Sequence, residues 1–444
     1  GRRRRSHAAI IPMQVVAEGW SVHSLGTVTT WISGGTPSKG NPAFWDGDTP
    51  WISAKSLKSF YLYDSEDHVT DAAIAEGARQ VDVGDILMLV RGMTLHNDVP
   101  VGIAMRPMTF NQDVKGLRGK GDASTRYIAY WLIGNKWRLL AAVDQASHGT
   151  GRLRTEVVQA MDVLLPPPRE QEAIAAVLGA LDDKIEQNRR LARALERLVR
   201  AIFRAWFVDF EPVKAKAAGA TAFPSMPQPV FDALPTRFVD SDIGSVPEGW
   251  ELNSIAKVAT FLNGLALQKY PPRGDGHDLR VIKIAQLRKG STEGADWANA
   301  DVPRQYIVDD GDLLFSWSGA LEAELWFGGK GALNQHLFKV TSSRFPHWYC
   351  LLWIRQHLPW FRAIAASKAT TMGHIQRRHL QEAQVVIPPT PVLHAADEVI
   401  GALYGLHAQI QLESRKLAQM RELLLPQLLS GAVAIEPEMA SDGA

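Results

Sequence analysis

A single cysteine, Cys350, stands in the 444 residues, which excludes an internal disulfide framework and any cysteine-rich zinc site and fits a reducing cytoplasm. No apolar run approaches the ~20 residues that cross a bilayer. Arg2, Arg3, Arg4 and Arg5 lead into a stretch that Pro12 interrupts, so there is no signal-peptide core either. The chain opens on Gly, and residues 1–14 read as a disordered or artificial tail, with Met13 the candidate natural start. An excess of charge is also missing. With 48 Lys and Arg against 47 Asp and Glu, the net charge is +1, so any nucleic-acid binding needs locally concentrated positive potential.

Catalytic signatures are lacking as well. Gly35-Thr36-Pro37-Ser38-Lys39-Gly40-Asn41 has the glycine spacing of a phosphate loop, but Asn41 replaces the essential Lys and Pro42 follows instead of a helix. No Gly-x-Gly-x-x-Gly follows a strand, no His-Glu-x-x-His set occurs, and no acidic pair is followed by Glu-x-Lys. The Pro-rich runs at Leu165-Pro166-Pro167-Pro168 and Ile387-Pro388-Pro389-Thr390 lack the Asn or Asp start and aromatic end of an amino-methyltransferase motif. Catalytic and metal-ligating residues are therefore not assigned.

What is present is a duplication. Val16-Ala17-Glu18-Gly19-Trp20 returns as Val246-Pro247-Glu248-Gly249-Trp250, 230 positions later. Val81-Asp82-Val83-Gly84-Asp85 returns as Val308-Asp309-Asp310-Gly311-Asp312 at an offset of 227. Asn111-Gln112 returns as Asn334-Gln335 at 223, and Gly151 and Pro166-Pro167 return as Gly373 and Pro388-Pro389 at 222. Small loop deletions within a repeated unit produce such drift. Each copy carries short apolar runs and glycine-bearing turns, predicting a mixed α/β (α+β) domain, with a buried helix near 127–137 and again near 349–358.

A long helix follows each copy. Ile174, Leu178, Leu181, Ile185, Asn188, Ala192, Leu195, Val199 and Ile202 alternate four and three apart, as do Val399, Leu403, Leu406, Ile410, Glu413, Leu417, Met420 and Leu424. The one strongly polar seam position falls in register, Asn188 matching Glu413 at an offset of 225. The Ala-, Pro- and Lys-rich stretch between the copies reads as an extended linker that turns the chain back, so the helices are expected to pair as an antiparallel coiled coil with pseudo-two-fold symmetry. The expected division is a tail at 1–14, a recognition domain at 15–168, a helix at 169–211, a linker at 212–245, a second recognition domain at 246–389, a helix at 390–431 and a tail at 432–444.

The residues then resemble a known family. Gly19-Trp20, Leu25-Gly26, Gly34-Gly35-Thr36-Pro37-Ser38, Phe44-Trp45-Asp46-Gly47 and Pro50-Trp51-Ile52-Ser53 are similar to the opening of specificity subunits of type I restriction-modification systems. So are Pro166-Pro167 with Glu170-Gln171 and Ile174, then Leu181-Asp182, Lys184-Ile185 and Asn188. Phe203, Trp206-Phe207-Val208-Asp209-Phe210 and the closing Leu424-Leu425-Pro426, Leu428-Leu429-Ser430-Gly431 resemble further signatures, so the likeness covers about 15–433. The second copy departs from it, with Leu265-Ala266-Leu267 for Gly35-Thr36-Pro37 and Val392-Leu393 for Glu170-Gln171.

The resemblance implies two target recognition domains, each reading half of a bipartite site in double-stranded DNA. It implies two helices that set their separation and dock two methyltransferase subunits, with restriction-translocase subunits joining them. S-adenosylmethionine would then be bound by the methyltransferase partner, with no cofactor in this chain. Two rivals stay open: a coiled-coil protein scaffold without DNA binding, and an enzyme with a cryptic site between the halves.

Reading bases takes forked donors and amides, and holding phosphates takes Arg, Lys or backbone N–H. Candidate DNA-binding residues in the first copy are Ser38, Lys39, Ser53, Lys55, Arg91, His96, Asn97, Lys115, Arg118, Lys120, His148, Thr150, Arg152 and Arg154. In the second they are Lys269, Lys283, Arg288, Lys289, Asn334, Gln335, Lys368, Thr370, Thr371, His374, Gln376, Arg377 and Arg378. The recurrence of Asn111-Gln112 as Asn334-Gln335 also fits a shared backbone-positioning role. Trp20 and Trp250 read as core anchors, and Gly34 and Gly264 as turn residues.

Overall fold

A computed structural model describes residues 18–145, 149–224, 226–367 and 373–435. The chain divides into two compact units, one of Gly1–Lys184 with Leu417–Ala444 and the other of Ile185–Lys416. Both divisions fall inside the long helices and neither falls in 212–245. That segment is not an extended linker. It forms helices Glu211–Ala217 and Gln228–Asp232 and a hairpin of Phe238–Ser241 with Gly244–Pro247. Val213, Phe231 and Leu234 are buried in the core of the second unit, and Lys216 Nζ donates to the Leu234 carbonyl at 2.6 Å. The elements are too short to leave a periodic pattern, which is why composition alone misreads them.

In the first unit, one sheet runs Thr29–Ser33, Val114–Gly119, Ile86–Leu89, Val101–Ala104, Tyr61–Leu62. Another runs Asp67–Val69, Trp45–Ile52, Met108–Phe110, Gln80–Val81, with the middle pair parallel. Helix α1 (Thr125–Gly134) packs on these strands; Ser124 caps it, and Tyr127 to Leu132 are all buried. The second unit repeats these orders, with four strands in place of five in the first sheet among the described residues. Thr260–Asn263, Leu337–Thr341, Leu313–Ser316, Ala323–Leu325 form one sheet, and Trp297–Ala298, Leu279–Ile282, Gly331–Leu333, Ile307–Val308 the other, again with a parallel middle pair.

Individual hydrogen bonds recur with the drifting offset. Asn111 N donates to Ile52 O at 2.9 Å and Asn334 N to Ile282 O at 3.1 Å. The Tyr127 hydroxyl donates to Leu164 O at 2.7 Å and the Tyr349 hydroxyl to Val386 O at 2.6 Å. Gly34 and Gly264 differ from expectation: neither has positive φ. A Cβ at Gly34 would press on the Asn111 and Phe110 carbonyls, and one at Gly264 on that of Asn334. Close backbone approach, not turn geometry, requires glycine at both.

Helix α2 (Pro168–Phe203) starts on a proline, which is pre-set for the first helical position, and is rich in strong helix formers. It runs into a π turn at Arg204–Val208. Phe210 then sits in the left-handed region at φ 53, held there by burial and an edge-to-face contact with Trp250 at 5.7 Å. In the second unit, helix α3 (His347–Ser367) fills the centre of the core, and helix α4 (Ala402–Leu429) begins after a π turn at Asp397–Gly401.

Within the second unit α2 and α4 run antiparallel: Asn188 meets Glu413 at 2.7 Å, and Glu196, further along α2, meets His407, earlier on α4, at 3.8 Å. Ala192, Leu195 and Ile410 form the apolar layer between, with Leu403 beside them. Within the first unit, the Arg421 guanidinium of α4 binds the buried Asp182 of α2 at 2.6 Å, and Leu425, Leu428 and Leu429 join the core with Ile174 and Leu178. The α4 seam differs from expectation at two positions. Leu406 and Met420 are 41% and 50% exposed, while His407 and Arg421, one residue on, face inward. Apolarity misleads here because Glu196 and Asp182 supply partners that let polar side chains take the seam.

Candidate nucleic-acid interface

The candidate residues separate into distinct groups. Many cations are engaged within the chain. Arg118 makes 2.6 Å hydrogen bonds to Asp82 and to the buried Asp85, which makes it a brace for the Asp82-Val83-Gly84-Asp85 turn. Arg154 pairs with Asp144 at 2.8 Å, Arg288 with Glu322 at 3.2 Å, Lys289 with Glu293 at 2.6 Å, and Lys283 with Asp296. Lys115 donates to Ser33 Oγ at 2.7 Å.

Others hold backbone. Asn334 is buried, and its Oδ1 accepts from His336 N at 3.3 Å, as Asn111 Oδ1 accepts from Asp113 N at 3.1 Å. Both are turn builders, their side-chain oxygens spent on their own loops. The Gln335 carbonyl accepts the Trp317 indole N–H at 3.1 Å. Ser53 accepts Lys55 N at 3.3 Å, His96 meets the Gly149 carbonyl at 2.7 Å, Gln376 caps the helix Arg377–Glu382, and Arg378 bonds His379 at 3.3 Å.

Ser38, Lys39, Lys55, Arg91, Asn97, Lys120, Arg152, Lys269 and Arg377 are exposed, and Thr150 is half-buried. His148, Lys368, Thr370 and Thr371 lie outside the described residues.

One location gathers candidates in both copies. In the first unit, the strands Val143–Gln145, Gly151–Leu153 and Arg91–Gly92 form a small antiparallel sheet. Its register sets Asp144, Arg152 and Arg91 in one cross-strand row, with Gly151 opposite Gly92. Opposed residues of an antiparallel pair project from the same face, and opposed like charges repel. In the second unit Ser318 bridges His374 at the equivalent position. The supporting hydrogen bonds match: Leu153 N to Val90 O at 2.8 Å against Ile375 N to Trp317 O at 3.0 Å. Val90 N bonds Asp113 O at 2.8 Å, and Trp317 N bonds His336 O at 3.4 Å. Here Trp317 anchors a polar cluster: its N–H also donates to Asn263 Oδ1 at 2.9 Å, and its ring lies 5.9 Å from the His336 ring and 6.2 Å from the His374 ring. Ser318 Oγ contacts His336 Nδ1 at 3.0 Å. Sequence reading missed Trp317, Ser318 and His336. Projecting Arg91 and Asp113 through the repeat offsets of 227 and 223 finds the last two.

Trp20 and Trp250 are core residues, 8% and 7% exposed. In the first copy Glu170 Oε2 accepts the Trp20 indole N–H at 2.9 Å, whereas Val392 takes that place in the second and the buried Trp250 N–H has no partner among the described residues. Gln171, replaced by Leu393, bonds Ser124 N, Asp122 O and Pro166 O. Among the described residues, no group of three or more His, Cys, Asp or Glu is placed to hold a metal ion. Burial pushes the Cys350 thiol up to about 12, so it carries no thiolate at neutral pH. No described helix is long and apolar enough to cross a membrane.

Residues 17–197 match the family model described as the type I restriction modification DNA specificity domain. The type I restriction enzyme MjaIX specificity subunit of Methanocaldococcus jannaschii is 24% identical over 440 residues, covering 95% of each chain. The HindI specificity subunit of Haemophilus influenzae is 20% identical over 320 residues, 62% of this chain and 70% of that one. The fold is similar to that of a type I restriction-modification S subunit from M. genitalium, with a TM-score of 0.54 at 12% identity over 92% of this chain and 96% of the other.

Proposed function

The chain belongs to the specificity subunits of type I restriction-modification systems, and from that membership we propose that its two α/β copies each read one half of a bipartite site in double-stranded DNA. The observation that carries the reading is the repeated frame with unlike side chains: Arg91 and Arg152 in one copy stand where Ser318 and His374 stand in the other. A scaffold has no need to vary the side chains at one place on a fixed backbone, whereas a reader of two different half-sites must. The exposed cations Lys39, Lys55, Lys120, Lys269 and Arg377 supply phosphate contacts.

The chain acts as the address within a larger assembly that includes methyltransferase and restriction subunits. In this reading it catalyses nothing, two methyltransferase copies dock on it, and S-adenosylmethionine is bound by them. The decisive experiment maps methylated adenines in DNA of cells expressing the chain with its methyltransferase partner. A bipartite motif that disappears when this chain is omitted is expected. Methylation without any dependence on this chain, or methyl transfer by this chain alone, overturns the reading.

A further inference from the structure

We propose that the row formed by Arg91 and Arg152 is the base-reading position of the first copy, and that His374, with His336 beside it, reads at the corresponding place in the second. The inference rests on the DNA-reading function above and assigns it to residues.

The backbone is alike at the two positions. Gly92 and Gly319 both have positive φ, and Gly92 faces Gly151 as Gly319 faces Gly373, whose carbonyl accepts Gly319 N at 2.9 Å. A Cβ on Gly151 would crowd Leu95 and the Gly92 carbonyl, and one on Gly373 would crowd Ala365. Glycine thus permits a close approach in both copies, to the neighbouring strand at Gly151 and to helix α3 at Gly373, while the residue beside it changes chemistry.

The first copy has an energetic anomaly at this place. Arg91 and Arg152 are exposed, directly opposed, and neither guanidinium has a hydrogen bond or ion pair among the described residues. Asp144, on the far side of Arg152, is already engaged by Arg154, and Asn111 donates to the Asp113 carboxylate at 3.3 Å. Opposed like charges cost stability, and an acceptor-rich partner offsets that cost. A guanidinium fork matches the O6 and N7 acceptors of guanine in the major groove. The first half-site is therefore expected to require at least one guanine at the position these residues reach.

In the second copy, His336 and His374 flank the fixed Trp317 ring, and Ser318 orients His336. An imidazole donates or accepts with one edge, so it reads a different base pattern from a guanidinium. One frame thus carries two specificities.

The test uses the full chain with its methyltransferase partner. R91S/R152H places the second copy's residues on the first copy at exposed sites, and H374A probes the second copy independently. R91S/R152H is expected to lose a guanine requirement in one half-site only, with the other half and the spacer intact. Binding of the purified variant to the wild-type duplex should weaken about tenfold or more. H374A should relax the opposite half. A wild-type chain that directs no bipartite methylation overturns the function and this inference together. A wild-type bipartite motif left unchanged by both variants overturns only the inference. So does an equal loss of affinity for cognate and scrambled duplexes, which marks phosphate contact instead of base reading.

Discussion

The Asn188 side-chain amide donates to Glu413 Oε2 at 2.7 Å, joining the polar seam residues of the two long helices within one unit. Asn188 is buried, so its N–H groups need acceptors there, and a carboxylate makes a short, charge-assisted one. The contact also favours one register, because sliding α4 by a heptad puts Asn188 against an apolar layer. Glu413→Leu should destabilise the chain by about 1–3 kcal/mol by leaving a buried amide short of an acceptor. N188L/E413L should cost less than the sum of the singles and should melt less sharply if slipped pairings become populated. A double-mutant cycle in urea measures this; additive singles would show that the pair is not coupled.

The tryptophan pair tests asymmetry between the copies. Trp20 donates to Glu170, but the Trp250 N–H is buried without a partner among the described residues where Val392 replaces that glutamate. Trp20→Phe leaves the carboxylate short of a donor as well as losing a bond, whereas Trp250→Phe removes an unsatisfied group. Trp20→Phe should therefore destabilise by about 1 kcal/mol more than Trp250→Phe. Equal costs in urea unfolding of the two variants would contradict this account.

Much of this was legible in the sequence, because a duplication with a drifting offset fixes which backbone positions correspond. The matched hydrogen bonds of Asn111 and Asn334 and of Tyr127 and Tyr349 follow that offset. Three things were not legible. The buried Phe231 and Leu234 lie on elements too short for a periodic signal, so the segment between the copies read as a linker. Leu406 and Met420 looked like seam residues because apolarity was the only guide, and the acidic partners that seat His407 and Arg421 lie far away in sequence. Arg118 and Lys283 looked like free cations because their ion-pair partners, Asp85 and Asp296, meet them only through the fold.

Glycine placement gives a sharper prediction. A Cβ at Gly264 would lie against the Asn334 and Leu333 carbonyls, closer than real Cβ atoms come. Backbone, unlike a flexible side chain, has little room to yield. Gly264→Ala should cost about 3 kcal/mol or more, while Gly405→Ala, with open space on an α4 helical surface, should be neutral or slightly stabilising. Comparable melting of the two variants would refute the close-approach explanation.

The last prediction concerns pH. Burial lowers the pKa of His357 below its ordinary 6.5, only partly offset by its 2.8 Å hydrogen bond to the Gln384 carbonyl, to which the ring donates. His407 is lowered in the same way, with Glu196 opposing the shift. For both, the unfolded chain binds a proton that the folded chain resists. The stabilising contribution is therefore present above pH 6.5 and is lost as pH falls from there toward the depressed folded pKa. Glu324 acts with the opposite sign: burial raises it above 4.5, so its contribution falls as pH rises through the window above that value. Comparing variants at the histidine separates the two. Thermal midpoints should drop between about pH 7.5 and about pH 5.5 for the unaltered chain. His357→Gln, which keeps a donor for Gln384 but does not titrate, should show a smaller drop. An identical pH slope in the two proteins would show that His357 is not a source of the acid sensitivity.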